Sequence, residues 1–184
     1  MIKESLHKDD INAEEARVWE ILEEVKDPEV PVLSIIDLGI VREVSVSFQE
    51  VPGSAVTGTK PAVTIIITPT YSGCPAMDVI SMDTRLKLIE KGYRDITIKQ
   101  QLSPAWTTDW MTEEGKRKLK EFGIAPPNPR QQFCKEEMFR QEAVQCPRCD
   151  SYHTELISQF GSTACKAMYR CLDCKEAFDY FKCH

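Results

Sequence analysis

Two cysteine pairs, Cys146/Cys149 and Cys171/Cys174, each enclose two residues and stand 21 residues apart. This spacing constrains the chain more than any other feature. Two residues between thiols let a tight knuckle place both sulfurs on one ion, and two knuckles complete a tetrahedron. The intervening chain suits two strands, TELISQF and ACKAMYRC, joined at Gly161-Ser162, and EAFDYFKCH suits a third. The expectation is a zinc ribbon over residues 144–184 with Cys146, Cys149, Cys171 and Cys174 as ligands. Four thiolates leave no open position, so the zinc would be structural, and so small a segment needs such a staple. Spacing alone also admits a rubredoxin-like iron. Cys165 and Cys183 are surplus to the four. Each suits an inward-facing strand position, and a second thiol site of Cys183 with His184 is the sharper alternative. Cys134, in a charged helical-looking segment, reads as a lone thiol without a role.

Upstream, residues 63–91 read as a buried strand, a short loop and a helix. Val63, Ile65 and Ile67 alternate with Thr64, Ile66 and Thr68 in a β-branched run. Pro69 stops the strand, and Thr70, Ser72 and Gly73 are turn formers. Pro75 suits the first helical position, which puts Cys74 at the N-cap. Val79, Met82, Leu86 and Ile89 then form an apolar stripe, with Met77, Ile80 and Leu88 on a neighbouring one. A thiol at a helix N-terminus faces unpaired N–H groups and the positive end of the dipole, and both stabilise a thiolate. Cys74 is therefore expected to have a pKa below the ordinary value of about 8.5 and to bind metal well. Thr68, Thr70, Tyr71 and Ser72 crowd the same loop with hydroxyls. The plainer alternative is a small buried cysteine filling a strand–helix corner.

Charge limits the partners. The net charge is −6, and the first 124 residues carry all of it, with 15 Lys and Arg against 21 Asp and Glu. Residues 125–143 and 144–184 are each balanced. No segment has the basic excess that gripping a phosphate backbone requires, so a nucleic-acid role is not expected. No apolar run approaches membrane-spanning length, and MIKESLHKDD is too polar for a signal peptide. The expected location is the cytoplasm, where thiols stay reduced. Eight cysteines there indicate metal or thiol chemistry rather than a disulfide framework.

The remaining chain organises around these two units. A frayed acidic tail leads to a helix over residues 13–26, with Asn12 and Glu15 as a capping box and Val18, Ile21, Leu22 and Val25 as its apolar stripe. Asp27-Pro28 ends it. Asp37 precedes Leu38-Gly39, either as a functional carboxylate near Cys74 or as a side chain bonding loop N–H groups. Val44, Val46 and Phe48 mark a strand, residues 49–61 a loose hairpin, and TIKQQL a third strand. The first unit, residues 1–124, thus reads α-β-β-α-β: a mixed α/β (α+β) domain with a small sheet. Trp106 and Trp110 suit either a partner-binding patch or a cover for the sheet edge. Thr112 should cap a short helix, and residues 125–143 form a Pro-rich linker with a short helix before the ribbon.

Asp27-Pro28-Glu29, Asp37-Leu38-Gly39-Ile40-Val41 and the Thr-rich loop ending in Cys74-Pro75 resemble the metal–sulfur cluster assembly domain family, to which SufT belongs. TPTYSGCPAMDVI, SPAWTTDW, FGSTACKAMYRC and FDYFKCH are similar to its PaaD subfamily of phenylacetate-degradation proteins, so the resemblance covers nearly the whole chain. It implies a role beside the multicomponent phenylacetyl-CoA epoxidase, a diiron monooxygenase fed by an iron–sulfur reductase. The implied protein is a maturation factor that hands over iron or an iron–sulfur cluster, with epoxidase subunits and iron–sulfur assembly machinery as partners. Cys74 would be the transfer ligand, and Asp37, Thr68 and Thr70 would shape its pocket. One thiolate holds iron weakly, so a homodimer or a client residue would complete the coordination.

The residues themselves point away from catalysis. A diiron site takes two Glu-x-x-His motifs, and the only such spacing here is Glu4 to His7. No GxGxxG occurs. Two other classes compete: a structural component of the epoxidase complex, and a zinc-ribbon nucleic-acid binder, which the charge disfavours.

Overall fold

A computed structural model describes residues 2–50, 59–127 and 144–182. The chain runs α1 (Ile2–Glu23), β1 (Val41–Glu50), β2 (Thr59–Ile67), α2 (Ala76–Glu90), β3 (Asp95–Gln100), a 3-10 turn (Thr108–Trp110), α3 (Glu113–Phe122), β4 (Thr154–Ser158), β5 (Lys166–Cys171) and β6 (Ala177–Phe181). The strands make two three-stranded sheets, ordered β1-β2-β3 and β4-β5-β6. This is the mixed α/β (α+β) class expected, an α-β-β-α-β unit with a small sheet followed by a ribbon. Residues 128–143, with Cys134 and most of the linker, lie outside the described residues, as do Cys183 and His184.

In the first sheet β1 and β2 are antiparallel, with Val44 opposite Ile65 and Val46 opposite Val63. β2 and β3 are parallel, joined through α2, with Ile65 opposite Ile98. Alternation in β2 buries Val63, Ile65 and Ile67 while Thr64 and Ile66 stay half-exposed. Val18, Ile21, Leu22 and Val25 of the α1 region share that core with Ile80 and Leu88 of α2.

Two expectations about the helices fail. α1 begins at Ile2, so Asn12 lies inside the helix and caps nothing. The stretch before residue 13 holds no Gly or Pro to break it. Glu15 instead accepts the Val46 N–H of edge strand β1 at 3.1 Å. In α2 the buried face is Ala76, Met77, Ile80, Thr84 and Leu88. Val79, Met82 and Leu86, expected to lead the apolar stripe, are 46%, 61% and 50% exposed. Both stripes have helical periodicity, and only packing against the sheet selects between them.

Downstream of β3 the chain returns over the loop that precedes β1. The Trp106 indole N–H donates to the Leu38 carbonyl at 2.9 Å. Gly39, at φ +66°, sits so close to Trp110 that a Cβ there would lie 2.0 Å from the Trp110 carbonyl oxygen. Thr112 caps α3 as expected, its hydroxyl accepting the Gly115 N–H at 2.9 Å. A partner-binding Trp106/Trp110 patch is overturned. Trp106 is 2% exposed and lies edge-on to Phe181 of β6, with ring centroids 6.1 Å apart. Arg42 stacks on Trp110 at 3.5 Å.

The second sheet is thereby joined to the first unit. Cys165 and Phe181 belong to the core built by α1, α2 and the first sheet. Conversely, Ala125 packs in the ribbon core with Tyr169, Phe178 and Tyr180. The Ala125 N–H donates to Asp179 O at 2.8 Å, and its carbonyl accepts the Phe181 N–H at 2.9 Å. Residue 125 thus extends the ribbon sheet by one bridge. We expect Phe181→Ala to destabilise the protein by about 3–5 kcal/mol in a urea titration, the cost of truncating a buried phenylalanine. A loss below about 1 kcal/mol would mean that the two units do not share this core.

Candidate metal centre

The ribbon cysteines are set by two matching knuckles. In each, the first cysteine's N–H donates to the carbonyl five residues on: Cys146 to Ser151 at 2.8 Å, and Cys171 to Glu176 at 2.9 Å. Each knuckle turns through a non-glycine residue of positive φ immediately after its second cysteine, Asp150 at 59° and Lys175 at 67°. The four sulfurs all lie within 4.8 Å of one another. Cys146 and Cys174 are 3.8 Å apart, and Cys149 and Cys171 3.5 Å. Sulfurs at about 2.3 Å from a central zinc span tetrahedral edges of about 3.8 Å, so the donor set and its spacing fit a metal such as zinc. The Cys174 N–H, working against burial, and the Asp173 N–H bring the Cys171 thiol down to about 6. His153 and Ser151 hydrogen-bond Asp173, tying one knuckle to the other.

The loop after β2 forms a second thiol environment. Thr68 is 1% exposed, its N–H donating to Ile40 O at 2.8 Å while its buried hydroxyl has no partner. Thr70 follows, half-buried. The chain turns at Cys74, whose N–H donates to Tyr71 O at 3.3 Å. α2 starts one residue later than expected, with Pro75 and not Cys74 at the N-cap. The Cys74 thiol still receives the Ala76 N–H and a hydrogen bond from Tyr71.

The expected fall in its pKa is also overturned. Burial comes first among the causes, and with the nearby carboxylates of Glu29 and Asp27 it outweighs the N–H and the phenol. The Cys74 thiol is therefore raised above the ordinary cysteine value. Tyr71 is pushed up to about 12, first by burial and then by Cys74.

The structure brings Thr68, Thr70 and Cys74 onto one loop but engages Asp37 elsewhere. The Asp37 carboxylate accepts the Ser34 N–H at 2.9 Å, the Lys118 ammonium at 2.7 Å and the Thr112 hydroxyl at 3.3 Å. Burial alone would raise its pKa. Lys118 and Ser34 overcome that and hold it below the usual value. The acids that act on Cys74 include Glu29 and Asp27 of the turn after α1. Asp27 Oδ1 accepts the N–H groups of Glu29 and Val30 at 2.8 and 2.7 Å, closing that turn and presenting Glu29. Glu29 in turn faces Cys165 of the ribbon, whose sulfur lies 3.9 Å from Glu29 Oε2.

Sequence reasoning missed Glu29 as a carboxylate acting on Cys74, and Cys165 as a neighbour of Glu29. The Asp27-Pro28-Glu29 motif was a usable signal for the first. Nothing in the spacing of Cys165 singles it out.

Residues 130–182 match the PaaD zinc beta ribbon domain, and residues 15–91 match the iron-sulfur cluster assembly protein family. The chain is 46% identical over 166 residues to an Escherichia coli K12 protein provisionally named as a subunit of 1,2-phenylacetyl-CoA epoxidase, covering 90% of this chain and 91% of that one. It belongs to the PaaD family. A second relative, a Porphyromonas gingivalis Fe-S protein maturation auxiliary factor, is 34% identical over 106 residues, 57% of this chain and 90% of its own. A Bacillus anthracis DUF59 domain shares the fold of the first unit, with TM-score 0.50 and 24% identity over 61% of this chain and 96% of that one.

This PaaD-family member should carry a Cys74 that is mainly a thiol at neutral pH. Its iodoacetamide alkylation rate, followed by peptide mass spectrometry, should keep rising as pH passes the ordinary cysteine value of about 8.5. A rate that levels off near neutral pH would show a depressed pKa instead.

Proposed function

We propose that this protein is an assembly factor that helps to load iron or an iron–sulfur centre into a phenylacetyl-CoA epoxidase, and that it acts in the cytoplasm without catalysing the epoxidation. The observation that carries this reading is the Cys74 loop. It offers one half-buried thiol with an N–H and a phenol directed at it, on the unit that matches the iron–sulfur assembly family. The similarity to the Escherichia coli epoxidase component over nine-tenths of the chain supports the client, and the maturation factor supports the activity. Cys74 is the transfer ligand, with Thr68 and Thr70 on its loop. Asp37 acts by bracing the loop before β1. Iron is cargo, and it meets a site that must give it up again.

The ribbon site serves a different purpose. Cys146, Cys149, Cys171 and Cys174 hold zinc as a structural staple, since four thiolates leave the ion no open position. The exposed Val79–Met82–Leu86 face favours a second reading, a structural component that stays with the epoxidase complex. Stable co-purification at fixed stoichiometry would favour that reading over transient loading.

Two measurements test these assignments. The purified protein should hold one zinc per chain, and Cys171→Ala should lose it. Because Cys165 and Phe181 also build the first core, metal loss should lower the stability of the whole chain and not of the ribbon alone. Tight stoichiometric zinc in Cys171→Ala would overturn the ligand set. For function, the epoxidase should be co-expressed with wild type, with Cys74→Ser, or with no accessory protein. Client iron and activity should fall with Cys74→Ser to the level seen without the protein. Equal iron and activity with wild type and Cys74→Ser would end the transfer role.

A further inference from the structure

Cys165 is buried at the seam between the two units, and neither the ribbon metal site nor the ribbon core uses it. It is 5% exposed and sits among the apolar residues of the first core, on which Cys74 and Tyr71 also pack. Its sulfur lies 3.0 Å from Thr163 Oγ1 and 3.9 Å from Glu29 Oε2. Glu29 also acts on Cys74, and both thiols act on Tyr71, so the four side chains share one neighbourhood. A carboxylate 3.9 Å from one thiol and acting on a second is a poor arrangement for a purely apolar corner, because it disfavours ionisation of both. It is a good arrangement for a divalent cation, which makes all three donors attractive at once. The buried Thr68 hydroxyl at the start of the Cys74 loop still lacks a partner.

We propose that Cys74, Cys165 and Glu29 form a second metal site, a dithiolate–carboxylate site for ferrous iron at the seam between the assembly unit and the ribbon. This deepens the proposed function and rests on Cys74 being the transfer ligand. The second thiolate comes from the same chain, and neither a homodimer nor a client residue is needed to supply it. Binding one Fe2+ converts two thiols to thiolates, releases two protons to solvent and changes no oxidation state. Among the described residues, only the ribbon's four donors all lie within 4.8 Å of one another. The seam donors are more widely set, so this site requires their side chains to rotate onto the ion. Three protein ligands leave iron an open position through which a client can take it, whereas the ribbon's four ligands leave none.

The test uses the full chain with zinc in the ribbon, titrated anaerobically with Co2+ as a spectroscopic stand-in and with Fe2+. Wild type should bind one further ion per chain, with thiolate-to-cobalt charge-transfer absorption. Cys165→Ser and Cys74→Ser should each lose about half of that absorption and weaken binding by about tenfold or more, consistent with loss of one soft ligand. Glu29→Gln, which leaves both thiols in place, should weaken binding while keeping the absorption per bound ion. Circular dichroism and ribbon zinc content confirm that each variant is folded. Wild type without a further ion overturns the site, as does Cys165→Ser with the wild-type spectrum and affinity. Client loading separates the two ideas. If Cys74→Ser abolishes it and Cys165→Ser does not, this inference fails and the proposed function stands. If neither variant affects it, the proposed function fails as well.

Discussion

The carboxylate of Asp37 holds together the part of the chain on which the thiol sites depend. It joins the turn at Ser34 to Lys118 and Thr112 of the α3 region, three partners on two distant segments. The Asp37 carbonyl adds a fourth link by accepting the Thr112 N–H at 3.0 Å. α3 can come this close because Gly115 has no side chain, since a Cβ there would lie 2.8 Å from Asp37 O. With α3 seated, Trp106 reaches the Leu38 carbonyl and presents its ring to Phe181. The ribbon then docks where Ala125 can bridge to Tyr180, and this docking places Cys165 against Glu29. A buried charge is costly unless it is paired and hydrogen-bonded, and Asp37 is both.

The environment of Cys74 illustrates competition between local and tertiary electrostatics. The start of α2 supplies an N–H from Ala76, as a helix N-terminus should, and Tyr71 supplies a second donor. Both favour the thiolate. Burial opposes it more strongly, and the turn after α1 adds two carboxylates. The thiol therefore favours keeping its proton, and a cation bound there would have to displace it. For a storage site this would be a defect, because each binding event must first displace protons. For the proposed transfer site, it would keep affinity moderate and make loading dependent on the metal itself.

What the sequence made legible follows the range of the interaction involved. The four ribbon cysteines could be read because knuckle geometry depends on two-residue spacing and little else. β2 could be read from its alternating β-branched run, and the Thr112 cap from its neighbours in the chain. Choices that depend on packing could not. α2 carries two apolar stripes, and only contact with the sheet decides that Ile80 and Leu88 go inside while Met82 and Leu86 stay out. α1 extends to Ile2 because nothing local stops it, and Glu15 serves the edge of β1 instead of a helix end. Trp106 could be read only as a patch or a cover for the sheet edge because its partner, Phe181, lies 75 residues away in the ribbon. Cys165 is the most consequential case. The sequence makes it merely an inward strand position, whereas it sits in the turn just before β5, and its approach to Glu29 exists only once the two units have docked.

That docking also explains why a ribbon with a closed metal site should be attached to an assembly unit. A ribbon of this size has too small an apolar core to hold a rigid surface without its metal. Once stapled, it offers β6 as a firm edge, to which Ala125 adds a bridge and against which Trp106 packs. Lys182, just beyond β6, is pinned by Gln159 O at 2.8 Å and by the Phe160 ring, while its N–H holds the Cys165 carbonyl at 3.1 Å. The backbone of Cys165 is thus set by the ribbon, and its side chain is delivered into the core of the other unit. A metal held by the four ribbon cysteines would fix the position of a thiol that it does not bind, beside a loop whose own thiol, Cys74, is held from the other side.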